Sequence, residues 1–203
     1  MLRIGVLASG RGSNLLALLR RQVAGALGGE VVLVASNRPC AGALSIAREH
    51  GIETCVSSDA YGRSRADAQV ELSELLRSRD VELVVLAGYD RILTGSFVRC
   101  WPGRIINVHP SLLPAFGGGL HAQRDALEYG AKVTGCTVHF VTEELDSGPI
   151  VSQAAVPVLE SDDERSLSER ILREEHQLLP AAVCAFAEGR LEVRGRTVYR
   201  KGD

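Results

Sequence analysis

The sequence predicts an α/β fold: an open sheet, mainly parallel, with an antiparallel C-terminal strand pair and helices on both faces. Three observations carry this. Short apolar runs alternate with stretches of helical apolar spacing through the first half of the chain. Val81–Ala87 (VELVVLA) is an almost unbroken apolar run, the pattern of a strand covered on both faces. Two longer runs, Thr134–Val141 and Ile150–Val156, are joined through the turn Asp146-Ser147-Gly148-Pro149, which would fold them back on each other.

The elements follow in order. Arg3–Leu7 (RIGVL) reads as the first strand and Leu15–Val23 as the helix after it. Val31–Ala35 is a second strand, Ala41–His50 a short helix and Thr54–Val56 a brief third strand. Residues 64–79 read as a charged helix with Val70, Leu72, Leu75 and Leu76 turned inward. Ile105–Val108 forms a strand after VELVVLA, and Arg124–Glu128 a short helix. The strand pair comes next. A long helix over 163–188 then carries an apolar stripe of Leu167, Ile171, Leu178, Leu179 and Phe186. A small basic tail ends the chain. No repeat, low-complexity tract or linker breaks the series, so residues 1–203 read as one Rossmann-like domain.

Bulk properties narrow the function. The net charge of −2 argues against a chain built to coat nucleic acid, which is normally basic. The five cysteines are far apart, odd in number and without zinc spacing, so buried reduced thiols and a cytoplasmic setting are expected. The apolar run Ile4–Ala8 is too short for a signal peptide or a membrane span. Small-molecule partners are therefore expected, with neither nucleic acid nor membrane. Monomer and homodimer stay equally open.

The first chemical signal is LASGRGSNLLALL, residues 7–19. Strand, Gly-rich turn and helix make an anion cradle, because free N–H groups and the helix dipole meet at the helix start. Gly10 and Gly12 allow close backbone approach, and Ser13 and Asn14 can cap the helix or donate to phosphate oxygens. A Walker loop is excluded by the missing G-K-[ST]. A dinucleotide fingerprint wants a small residue where Leu15 stands and an acid where Ser36-Asn37-Arg38 stands. Arg38 leaves an NADP enzyme open, but a small molecule bearing a monophosphate fits better.

The second signal is Asn107-Val108-His109-Pro110. Residues two apart on a strand share a face, so Asn107 and His109 look the same way at a carboxyl end, where ligands bind in such sheets. Asp146 lies in the turn between the later strands. An amide can hydrogen-bond an oxyanion, an imidazole can move a proton near neutral pH, and a carboxylate supports the imidazole's charged form. The three suit addition of a substrate amine to a carbonyl, and no serine or cysteine stands as an obvious nucleophile. Metal-ligand spacing is absent, so no metal is expected. Glu175 falls on the apolar stripe of the last helix. There it either reaches solvent, pairs with an arginine or meets a ligand.

Together SGRGSNL (9–15), LAGYDRIL (86–93), NVHPSLLP (107–114), GCTVHFVTEELDSGPI (135–150) and REEHQLLP (173–180) resemble the phosphoribosylglycinamide formyltransferase family of purine synthesis, nearly end to end. The Asn–His–Asp set alone is also shared by methionyl-tRNA formyltransferase and formyltetrahydrofolate deformylase, which carry an extra domain. The resemblance implies transfer of a formyl group from the cosubstrate 10-formyltetrahydrofolate to the amine of glycinamide ribonucleotide. It implies that Gly12, Ser13 and Asn14 hold the ribonucleotide phosphate and that Glu175 contacts the ribonucleotide. Asn107, His109 and Asp146 would be catalytic. Asp90, Arg91, Ile92 and Leu93 would bind the pterin, with Asn107 and a facing wall that includes Val141, Glu143 and Asp146. Arg65, with Arg63 as its rival, would meet the folate tail. Residues 1–100 would form the phosphate-binding half and 101–203 the catalytic and folate-binding half.

Two stretches depart from the pattern. Asp90 stands where many members have Met, which matters only if its side chain faces the pterin. The loop AFGGGLHAQ (115–123) is one residue longer than in some members. Its Gly117-Gly118-Gly119 run predicts a mobile lid, with His121 as a further candidate. His139 either lines the pocket or is structural. Besides another enzyme of the same superfamily, an NADP oxidoreductase and a non-catalytic binding domain stay open.

Overall fold

The computed structural model describes residues 1–202. The first half runs β1 (Leu2–Leu7), α1 (Ser13–Val23), β2 (Gly29–Ser36), α2 (Gly42–Glu49), β3 (Glu53–Val56), a 3₁₀ turn at Ser58–Tyr61, α3 (Arg65–Ser78), β4 (Leu83–Leu86) and α4 (Gly95–Cys100). The second half runs β5 (Ile105–His109), α5 (Ala122–Tyr129), β6 (Val133–Phe140), β7 (Ile150–Pro157), α6 (Glu164–Ala187), β8 (Leu191–Arg194) and β9 (Thr197–Arg200).

The strands form one sheet in the order β3-β2-β1-β4-β5-β6-β7-β9-β8. β1 runs parallel to β2 and β4, and β4 parallel to β5, while β6 is antiparallel to β5 and β7. This is the expected mixed sheet. The chain builds outward from β1 to β3, then crosses back to place β4 on the other side of β1. Such a reversal opens a crevice at the carboxyl ends of the two central strands.

Alternate residues of β4 enter two separate cores. Leu83 and Val85 pack with α1, α2 and α6 on one face, and Val84 and Leu86 with α3 and α4 on the other. A strand buried on both sides has no polar face, which is why VELVVLA reads as an apolar run. The strand itself is shorter, Leu83–Leu86.

Several expectations are corrected. Val70 is 51% exposed rather than inward. The buried face of α3 is Ala68, Gln69, Leu72, Ser73 and Leu76, and Val70 stands about 200° around the helix from Leu72. The buried Gln69 and Ser73 are satisfied: Gln69 bonds the backbone at Ile92 and Thr94, and Trp101 Nε1 donates to Ser73 Oγ at 3.0 Å. The basic tail is a hairpin, β8 and β9, turning at Gly195 and adding β9 beside β7. α4 was not foreseen, although its cap, Thr94 accepting from the Phe97 amide at 3.3 Å, is a standard signal. α1 starts at Ser13, two residues early.

Candidate active site

β5 ends on the crevice, and both Asn107 and His109 line it. The antiparallel partner β6 places His139 directly opposite Asn107. The ladder between β6 and β7 shifts register between Val138 and His139, an irregularity of the kind that re-aims side chains beside sites. Asn107 Nδ2 lies 3.1 Å from His139 Nε2, and His139 Nδ1 lies 3.0 Å from the Phe140 carbonyl. Burial pushes the His139 pKa down, so the ring is held neutral. A carbonyl can only accept, so the His139 proton sits on Nδ1 and Nε2 accepts from the Asn107 amide. One amide N–H is thereby anchored and the other remains for the cavity.

His109 is buried between two partners. Its Nδ1 is 3.6 Å from Asp146 Oδ2, and its Nε2 is 3.1 Å from the Phe116 carbonyl, to which it must donate. Asp146 has a left-handed backbone (φ 50°) in the turn before β7. That conformation turns its carboxylate back over the sheet, with Oδ1 also 3.8 Å from His139 Nε2. The glycine loop is tied to the same carboxylate, because the Gly118 amide donates to Asp146 Oδ2 at 2.8 Å. Sequence reasoning placed Asn107, His109 and Asp146 together. It missed Phe116, whose signal is only its place beside three glycines.

The cavity in front of these groups measures about 610 Å³. Asp90, Arg91, Ile92, Leu93 and Arg65 form one side, and Val141, Glu143 and Asp146 the other. Gly118–His121 close the mouth, so His121 borders the cavity too. Arg65 lines the cavity, whereas Arg63 is bound to Glu71 at 2.7 Å. The Asp90 carboxylate is taken up by Asn37 Nδ2 at 2.8 Å and by Arg38, and its amide donates to Ser9 Oγ at 2.9 Å. Arg38 is therefore engaged by Asp90, which weakens the case for a cofactor 2′-phosphate. Among the described residues, no cluster of His, Cys, Asp and Glu is placed to hold a metal ion.

At the carboxyl end of β1, with β4 between it and β5, lies the Gly-rich turn. Gly12 has φ 86°, and a Cβ there would come within 2.7 Å of the Ala43 Cα, so this position demands glycine. Gly12 is the N-cap of α1, with no side-chain cap and no acidic residue in the first turn. Of the two roles open to Ser13 and Asn14, capping of the helix does not occur. Asn14 instead turns inward, and its Nδ2 donates to Glu175 Oε2 at 2.7 Å. Glu175 is only 5% exposed, neither reaching solvent nor pairing with an arginine. It lies outside the lining of the large cavity.

Burial raises the Glu175 pKa, and the Asn14 bond only partly opposes this. The folded state then holds a proton that the unfolded chain releases above its ordinary value. Stability is greatest at acid pH and declines as pH rises toward and through the folded value. Glu175→Gln is expected to melt higher than the parent at pH 8, by roughly 2–4 °C for each kcal/mol relieved. The gap should close toward pH 4.5 in a series of thermal melts; a constant gap would mean that the carboxylate charge is not the cause.

A formyl transferase family model matches residues 2–183. The phosphoribosylglycinamide formyltransferase of Escherichia coli is 40% identical over 99% of this chain and 94% of its own length. A trifunctional purine biosynthetic protein, adenosine-3, of Drosophila melanogaster is 47% identical over 92% of this chain, which spans 14% of that protein's length. The crystal structure of glycinamide ribonucleotide transformylase 1 from Symbiobacterium toebii superposes with a TM-score of 0.95 at 50% identity, covering 98% of this chain and 94% of that one.

Proposed function

The chain belongs to the formyl transferase family, and from that premise we propose that it transfers the formyl group of 10-formyltetrahydrofolate to the amine of 5′-phosphoribosylglycinamide. The products are formylglycinamide ribonucleotide and tetrahydrofolate, in de novo purine synthesis. One observation carries the reading: Asn107, His109 and Asp146 converge on one cavity, while an uncapped helix start lies across the central strand. All of 1–203 acts as one domain. The phosphate cradle belongs to residues 1–100 and the catalytic set to 101–203, with both halves contributing to the folate pocket. The cytoplasm is the proposed setting, supported by five cysteines that are all free; against the expectation of buried thiols, only Cys136 is buried, and Cys40 and Cys100 are exposed.

In this reading the substrate amine attacks the formyl carbon directly. A carbon–nitrogen bond forms to the glycinamide, and the bond from the formyl carbon to folate N10 breaks. The proton released by the amine returns to N10 through the His109–Asp146 pair and water. The free amide N–H of Asn107 and the Nε2–H of His109 donate to the carbonyl oxygen as negative charge builds on it. A protein nucleophile has little support, since no serine or cysteine is among the residues lining the cavity.

Phe116 adds a condition. Its carbonyl takes the Nε2 proton that the formyl oxygen would need. The glycine loop must therefore withdraw as the donor enters, and the Gly117-Gly118-Gly119 run supplies the freedom. Phe116 itself has a left-handed backbone (φ 54°), uncommon for a bulky residue, and its ring meets Tyr129 edge-on at 6.0 Å between centroids, so withdrawal also gives up that contact.

A formyl-transfer assay with purified protein tests the function. Tetrahydrofolate released only when the ribonucleotide is present supports the transferase. Release without it would make the chain a hydrolase, and no release would refute the proposed donor and acceptor.

A further inference from the structure

A second, shallow hollow of about 490 Å³ lies where the start of α1 meets α6. It is lined by Ser13 of the cradle, by Leu16 and Ile46 at its floor, and by Arg11, Glu169 and Arg173 around it. Both arginines are exposed. Among the described residues the neighbouring cations on α6 are spent in ion pairs, Arg165 on Glu169 at 3.0 Å and Arg170 on Asp162 at 2.6 Å. Neither Arg11 nor Arg173 joins one. Glu169, the single acid in the hollow, has its charge answered by Arg165.

Two free guanidinium groups thus flank a helix start that has no side-chain cap and no acid in its first turn. Unneutralised arginines beside one another repel, and a phosphate monoester of charge about −1.5 to −2 would answer both. Each guanidinium can bind two of its oxygens in a planar fork, which the cradle N–H groups alone cannot do. A second observation points the same way. Asn14, next to Ser13 of the hollow and only 6% exposed, keeps Oδ1 buried without a hydrogen-bond partner, a polar group left unanswered at this same helix start.

We infer that Arg11 and Arg173 clasp the phosphate ester of the ribonucleotide from outside the Gly12–Asn14 cradle, an assignment that rests on the formyltransferase reading above. Neither residue lines the cavity that holds Asn107 and His109, so their work is capture of the acceptor rather than chemistry. A glycinamide riboside without its phosphate would lose most of this attraction.

The test is the KM for glycinamide ribonucleotide in Arg11→Ala, Arg173→Ala and the double variant at low ionic strength. Each single change is expected to raise that KM about tenfold, the scale of one hydrogen-bonded charge, with a larger rise in the double variant. The KM for the formyl donor should stay put, saturating ribonucleotide should restore turnover, and Arg173→Lys should recover part of the loss. The salt dependence of the ribonucleotide KM should flatten in the double variant. A double variant within twofold of the parent overturns the inference while leaving the transferase intact. If the parent itself fails to formylate the ribonucleotide, the functional reading falls instead. Calorimetry with ribose 5-phosphate then decides the site by itself: binding to the parent that is lost in the double variant supports it, and equal or absent binding in both overturns it.

Discussion

Asp146→Asn is expected to fold like the parent and to lose about 10²–10⁴ in kcat at neutral pH, the range associated with a positioned proton-transfer group. The substitution keeps shape and backbone. Asparagine tolerates the left-handed φ of 50° found there, and its side-chain oxygen can still accept the Gly118 amide. What it removes is the negative charge 3.6 Å from His109 Nδ1. The proposed proton path through the His109–Asp146 pair then loses its carboxylate. Circular dichroism and a thermal melt establish the fold, and steady-state kinetics the loss. Turnover within threefold of the parent would remove Asp146 from the chemistry.

The second large effect belongs to Asn107. Asn107→Ala removes the N–H that the proposed mechanism gives to the developing oxyanion, and kcat should fall about 10²–10³ with modest change in either KM. The selectivity for kcat is the informative part. A residue that merely filled the wall would weaken folate binding and raise the donor KM instead. The same change leaves His139 Nε2 without its Asn107 partner, so a slightly lower melting temperature should accompany it. A rise in donor KM with kcat unchanged would make Asn107 a packing residue.

Much of the candidate site was legible because it obeys short-range rules. The period of a strand put Asn107 and His109 on one face, and both line the cavity. The glycine turn before α1 announced a helix start, and Gly12 carries the positive φ that such a turn needs. Glu175 declared itself by standing on an apolar stripe. Where the reading went astray, the deciding partner was distant in sequence. Val70 lost its place in the core because Leu72 and Leu76 chose the face of α3 that meets β4 and α4. Arg38 invited a cofactor reading until Asp90, 52 residues on, took its charge.

By itself, then, the sequence determined the alternation of strands and helices apart from α4 and the β8–β9 hairpin, the two-sided burial of β4, and the family. Each of these depends on local periodicity, turn chemistry or a run of contiguous motifs. Only the tertiary structure decided which hydrogen-bonding atoms are free. Asn107 is oriented by His139, 32 residues away, and Asn14 by Glu175, 161 residues away. His109 is held between a turn carboxylate and a loop carbonyl. A buried polar group takes whichever partner the packed chain brings within about 3 Å, and that distance is set by how the sheet and helices close around it, not by spacing along the chain.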